Sequence, residues 1–132
     1  MELRKKILSV DDSAIVRKII KSTVEVLYYD LLEASDGMDA LEILEKQYNS
    51  IKLILLDWNM PGMNGFDFLV AVKSNHLFRN IPVIMITTEG EKKNIIKAIQ
   101  AGVSNYLLKP FKTEELTKKI METLGKGVEQ RK

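Results

Sequence analysis

Five times along this chain a short apolar run stops at polar residues and gives way to a longer stretch with apolar side chains three or four positions apart. Lys6 to Val10 precedes Ser13 to Leu27, where Val16, Ile19, Ile20, Thr23 and Leu27 fall at helical spacing. Leu31 to Ala34 ends at Asp36-Gly37, after which Ala40, Leu41, Leu44 and Tyr48 mark a second helical face. Lys52 to Leu56 is apolar almost throughout, as a strand covered on both faces must be. Beyond it, Pro61, Gly62 and Gly65 punctuate a loop, Asn64 suits an N-cap, and Phe66, Leu69, Val70 and Lys73 continue a third helix. Ile81 to Ile86 reads as a fourth strand, followed by a helix over 91–101 that carries Ile95, Ile96 and Ile99 and stops at Gly102. Asn105 to Leu108 is the fifth, followed by Thr113 to Leu124 with Leu116, Ile120 and Leu124 on one face. Thr113 is the expected cap of that last helix, and Glu114 and Glu115 suit its positive end.

Such a series implies an α/β fold, a doubly wound, five-stranded parallel sheet with five helices in a three-layer sandwich. Parallel neighbours need a crossover about a helix long, and crossovers are right-handed. Lys52 to Leu56 belongs at the sheet centre; strand order is not readable from the pattern. At 132 residues there is room for one domain, expected over 1–124, with a frayed tail at 125–132. With no cysteine in the sequence, disulfides and thiolate metal sites are excluded. The apolar run in MELRKKILSV is too short for a signal or a membrane span, and a cytoplasmic protein is expected. A net charge of +2 gives no argument for nucleic acid, although Lys92, Lys93, Lys97, Lys109, Lys112, Lys118 and Lys119 enrich the C-terminal third. His76, the lone histidine, reads as a surface residue.

The polar residues at the strand ends carry the chemistry. Asp11 and Asp12 follow ILSV, Asp57 follows LILL, Thr87 follows VIMI and Lys109 follows YLL. In an open parallel sheet all carboxyl ends point to one edge, so these residues converge there. Like charges 4 Å apart cost roughly 4 kcal/mol per pair at an effective dielectric near 20, so three carboxylates against one lysine call for a cation or a proton. Hard oxygen ligands without His or Cys select Mg²⁺ over zinc. Taken alone, the Asp11-Asp12 pair equally suits a helix N-cap, Thr87 an ordinary strand residue and Lys109 a solvated side chain. Asp57, at the end of the most apolar strand, needs a partner, and a carboxylate so placed can act as a nucleophile on phosphorus. Pro110 biases Lys109 to an extended conformation and makes a cis bond possible.

The acid pair in VDDS, the stretch LLDWNMPGMNG, Thr87-Thr88 and KPF at Lys109 to Phe111 resemble, in order and spacing, the receiver domain of two-component response regulators over about residues 5 to 124. That resemblance implies a flavodoxin-like sandwich, Asp57 as phosphoacceptor, and Mg²⁺ held by Asp12, Asp57 and the carbonyl of Asn59 with Asp11 assisting through water. It implies that Thr87 and Lys109 contact the phosphoryl oxygens, that Thr87 and Tyr106 form the switch, and that the donor is a phosphohistidine on a sensor kinase. Trp58, Asn59, Glu89, Tyr106 and Lys109 together look like the chemotaxis members of the family. For those the resemblance implies a CheA-like kinase, a flagellar motor switch protein docking on Lys92, Ile95, Ile99, Tyr106 and Lys119, and a phosphatase acting on the aspartyl phosphate. An amphipathic helix with solvated lysines would give the same docking-face residues. With no output domain following the last helix, the expected protein is a signalling phosphoacceptor, not an enzyme, with a phosphorelay intermediate as the alternative. A haloacid-dehalogenase-type phosphatase is disfavoured because VDDSA lacks the second aspartate of its motif. A flavodoxin is disfavoured because Asp11 and Asp12 would repel the flavin phosphate.

Overall fold

The computed structural model describes residues 5–129. Five strands alternate with five helices: β1 (Lys6–Val10), α1 (Ala14–Val26), β2 (Asp30–Ala34), α2 (Gly37–Gln47), β3 (Ile51–Leu56), α3 (Gly65–Ser74), β4 (Val83–Thr87), α4 (Lys92–Gln100), β5 (Asn105–Leu108) and α5 (Thr113–Glu129). The strands form one parallel sheet in the order β2-β1-β3-β4-β5. The expected α/β architecture is therefore present, with β3, apolar except for Lys52, in the middle.

Alternation along the strands sends successive side chains to opposite layers. Leu8, Val10, Ile54, Leu56, Val83 and Met85 pack beneath α2, α3 and α4 with Ala40, Leu44, Phe68, Leu69, Val72 and Ala98. Ile7, Leu53, Leu55, Ile84, Ile86 and Leu107 pack on the other side against Ile20 and Val24 of α1 and Leu116 and Ile120 of α5. This double coverage is why β3 from Leu53 onward and β4 before Thr87 hold no polar residue, the exposed Lys52 lying near the start of β3, and why the polar side chains of the site fall at the carboxyl ends.

Several local expectations change. The helical face of α3 is Gly65, Phe68, Leu69 and Val72, whereas Val70 is exposed. Its sequence, GFDFLVAVKS, is apolar nearly all round, so periodicity does not select a face. Thr113 lies inside α5 and is not its cap. The capping position is Lys112, whose backbone N–H donates to the Glu115 carboxylate at 2.9 Å, the reciprocal half of a capping box. Helix α5 continues to Glu129, past Leu124, and of the expected tail residues 130–132 lie outside the described residues. Among the described residues no helix is long and apolar enough to cross a membrane.

Candidate functional site

Each chemical side chain stands where a strand has just ended. Asp11 follows β1, Asp57 follows β3, Thr87 closes β4 and Lys109 follows β5 after Leu108. The backbone N–H of Asp57 donates to the Val10 carbonyl at 3.0 Å and that of Lys109 to the Thr87 carbonyl at 2.9 Å, so the strand ladders extend up to the site and fix these positions.

Lys109 ties the cluster together. Its Nζ donates to Asp11 Oδ2 at 2.9 Å and to Asp57 Oδ2 at 3.2 Å, between side chains all largely withdrawn from solvent. The Lys109-Pro110 peptide is cis. Burial pushes the Asp11 carboxyl above its ordinary value, and the bond from Lys109 offsets this only in part. For Lys109 burial acts to lower the ammonium, but its contacts with Asp11 and Asp57 outweigh burial and hold it above the ordinary lysine value. Lys109 is therefore a fixed positive charge. Asp12 is exposed, and Asp11, Asp12 and Asp57 each offer a carboxylate oxygen within 4.8 Å of the others. One lysine cannot neutralise three such groups, and an all-oxygen set of this kind fits a hard divalent cation.

Around this core the loop after β3 supplies Asn59, whose N–H donates to Asp57 Oδ1 at 3.2 Å. The Asn59 amide reaches Thr88 Oγ1 at 3.4 Å and Thr87 Oγ1 at 3.5 Å. Thr87 Oγ1 also accepts from the Glu89 N–H at 3.2 Å. The Thr87 hydroxyl, buried and accepting from two sides, keeps its own hydrogen for a further acceptor. Tyr106 donates its hydroxyl to the Glu89 carbonyl at 2.8 Å, beside Thr87 but outside the acidic cluster. Burial, reinforced by the Glu89 and Asp57 charges, pushes its phenol up to about 12.

The docking-face candidates lie apart from the cluster, on α4, β5 and α5: Lys92 and Ile99 are exposed, and Ile95, Tyr106 and Lys119 are half-buried. Other residues shape the site without joining the acidic cluster. Ser13 caps α1 and donates its N–H to Asp11 Oδ1 at 2.8 Å. Gly65 is obligatory, because a Cβ there would stand 2.1 Å from the Asp57 carbonyl oxygen. Trp58 stacks on Phe66 at 5.5 Å between ring centroids, and Lys97 of α4 sits 4.4 Å over the Phe66 ring.

A doubly wound parallel sheet with buried carboxylates and a lysine at its carboxyl edge defines a class of α/β sandwich with an acidic pocket that could hold a cation. The chain belongs to the response regulator receiver domain family, whose profile matches residues 7–121. Chemotaxis protein CheY1 of Helicobacter pylori is 48% identical over 91% of this chain and 97% of its own length. The chemotaxis protein CheY homolog of Campylobacter jejuni is 43% identical over 92% of this chain and 94% of its own length. Among solved structures, Vibrio cholerae chemotaxis protein CheY4 superposes with a TM-score of 0.84 at 33% identity, covering 92% of this chain and 100% of its own. The chain is thus a CheY-like receiver domain.

Proposed function

We propose that Asp57 is the phosphoacceptor of a chemotaxis response regulator, charged by a CheA-like sensor histidine kinase. The observation that carries this is Lys109 bridging Asp11 and Asp57 inside a three-carboxylate cluster. An Asp57 oxygen forms the new P–O bond as the P–N bond of the donor phosphohistidine breaks and its electron pair returns to the imidazole. Lys109 keeps its proton throughout and donates to a phosphoryl oxygen, while Thr87 turns its free hydroxyl hydrogen to another. Asp12, Asp57 and the Asn59 carbonyl would hold Mg²⁺, with Asp11 assisting through water, and the cation would supply charge neutralisation for the group in transfer. Asn59 and Glu89 flank the acceptor, where they would tune hydrolysis and meet a phosphatase.

Phosphorylation adds charge and acceptor oxygens beside Thr87. Drawing Thr87 inward loosens its bond from the Glu89 N–H, and the Glu89 carbonyl is the anchor of Tyr106. The signal thereby leaves through Tyr106 to the face formed with Lys92, Ile95, Ile99 and Lys119. Ile99 is 57% exposed there, an apolar side chain available to a partner. The partner proposed is a flagellar motor switch protein.

Trp58, the only tryptophan and the neighbour of Asp57, reports the chemistry directly. Its fluorescence should respond to a small phosphodonor only with Mg²⁺ present, and Asp57→Asn should abolish the donor response while retaining the fold. A donor response that persists in Asp57→Asn sinks the assignment.

A further inference from the structure

Asp12 is the one carboxylate of the cluster that nothing holds. It is exposed, and no hydrogen bond reaches its side chain among the described residues, whereas Asp11 and Asp57 are both gripped by Lys109. Its direction is set by its backbone alone. The peptide that joins it to Asp11 is clamped from α1: Arg17 Nε donates to the Asp11 carbonyl at 2.9 Å, and Arg17 Nη2 donates to Ser35 Oγ at 2.7 Å. Arg17 is itself placed by the first turn of α1, where its N–H donates to the Ser13 carbonyl at 3.0 Å. On the other side, the Asp11 N–H donates to the Ala34 carbonyl at 3.1 Å, one residue before Ser35. The loop after β1 is thus tied twice to the end of β2, once by backbone and once through the guanidinium.

We propose that Arg17 is a positioning residue for the divalent cation: by fixing the plane of the Asp11-Asp12 peptide it aims the Asp12 carboxylate into the cluster. The proposal rests on the reading that this cluster takes Mg²⁺. A planar fork suits the task, since it fixes orientation as well as distance, and a lysine would hold one point only.

Charge and positioning predict opposite signs, which makes the idea testable. As a bare positive charge near the pocket, Arg17 repels Mg²⁺, and its removal would tighten binding. As a positioning residue, its removal weakens binding. The experiment is a calorimetric Mg²⁺ titration of the full chain, run on the wild type, Arg17→Met, Arg17→Lys, Ser35→Ala and Asp12→Asn, each checked for fold by circular dichroism. Arg17→Met should weaken Mg²⁺ binding by about tenfold, the lower end of what removing an outer-shell partner costs. Arg17→Lys should recover part of the loss. Ser35→Ala, which keeps the guanidinium charge and disturbs the helix least, should weaken binding by a smaller factor, and it carries the test if Arg17→Met does not fold. Unchanged or tighter binding in Arg17→Met, or in Ser35→Ala where that variant stands in, with binding lost in Asp12→Asn, overturns the role of Arg17 alone. A wild type that does not bind Mg²⁺, or an Asp12→Asn variant that binds as well as it, overturns the metal reading and the proposal with it.

Discussion

Tyr106 shows how much a single side chain is held by its surroundings. Its ring is half-buried at the edge of the apolar layer formed with Met85 and Ala98, and its hydroxyl is committed to the Glu89 carbonyl. Replacing it with phenylalanine leaves that carbonyl to find another donor and should cost about 1 kcal/mol, the net worth of one such bond. Because the folded phenol ionises near 12 against an ordinary value of 10.0, its contribution is fully present below pH 10 and is lost as pH rises towards 12. Urea denaturation across that window should show the wild type losing stability faster than Tyr106→Phe. An equal loss in both would mean that Tyr106 is not the group responsible. The titrating residues of the cluster were legible in the sequence because each ends an apolar run, a pattern one chain can display. Arg17 was not, since a basic residue on an amphipathic helix looks the same whether it is solvated or bonded to a carbonyl six residues upstream.

At the scale of elements, the start of α3 is where packing and chemistry are least separable. Asn64 caps the helix by accepting from the Asp67 N–H, and the Gly65 N–H donates to the Trp58 carbonyl at 2.7 Å, folding the helix end onto the backbone that carries Asp57. Backbone cannot yield as a flexible side chain does. Gly65→Ala, with its Cβ 2.1 Å from the Asp57 carbonyl oxygen and 2.7 Å from Trp58 Cα, should therefore destabilise by about 3 kcal/mol, the upper part of the usual overpacking range. It should also shift the Trp58 emission of the folded protein, because the peptide that must move is its own. A wild-type midpoint in urea would refute this. The number, kind and sequence of elements followed from apolar periodicity, while the lateral order of the strands did not, because every parallel order has the same local pattern. The face of α3 and the cap of α5 escaped for narrower reasons. One helix is apolar around its circumference, and the other is capped by a backbone N–H and a glutamate, where a hydroxyl at Thr113 was the obvious donor-acceptor.

For the molecule as a whole, the acidic pocket sits where the two apolar layers end, so its charge is a burden on the entire sandwich. The clusters beneath α2, α3 and α4 and beneath α1 and α5 share the strands β1, β3 and β4, whose ends carry Asp11, Asp57 and Thr87. Unfolding separates these residues across the sequence and dissolves the pocket. A cation that binds only the assembled cluster must then stabilise the fold by mass action, by about 2.7 kcal/mol when its concentration is 100 times its dissociation constant. Denaturation of the wild type in chelator and in saturating Mg²⁺ should differ by that amount, with the slope against urea unchanged, since the same surface is exposed in both cases. Asp12→Asn removes a proposed ligand that takes no part in the Lys109 bridge and relieves its repulsion with Asp11 and Asp57, so its stability in chelator should exceed that of the wild type. Its Mg²⁺ increment should vanish. If Mg²⁺ stabilises that variant as strongly as the wild type, the cation is acting elsewhere, and the three carboxylates at the sheet edge are not its site.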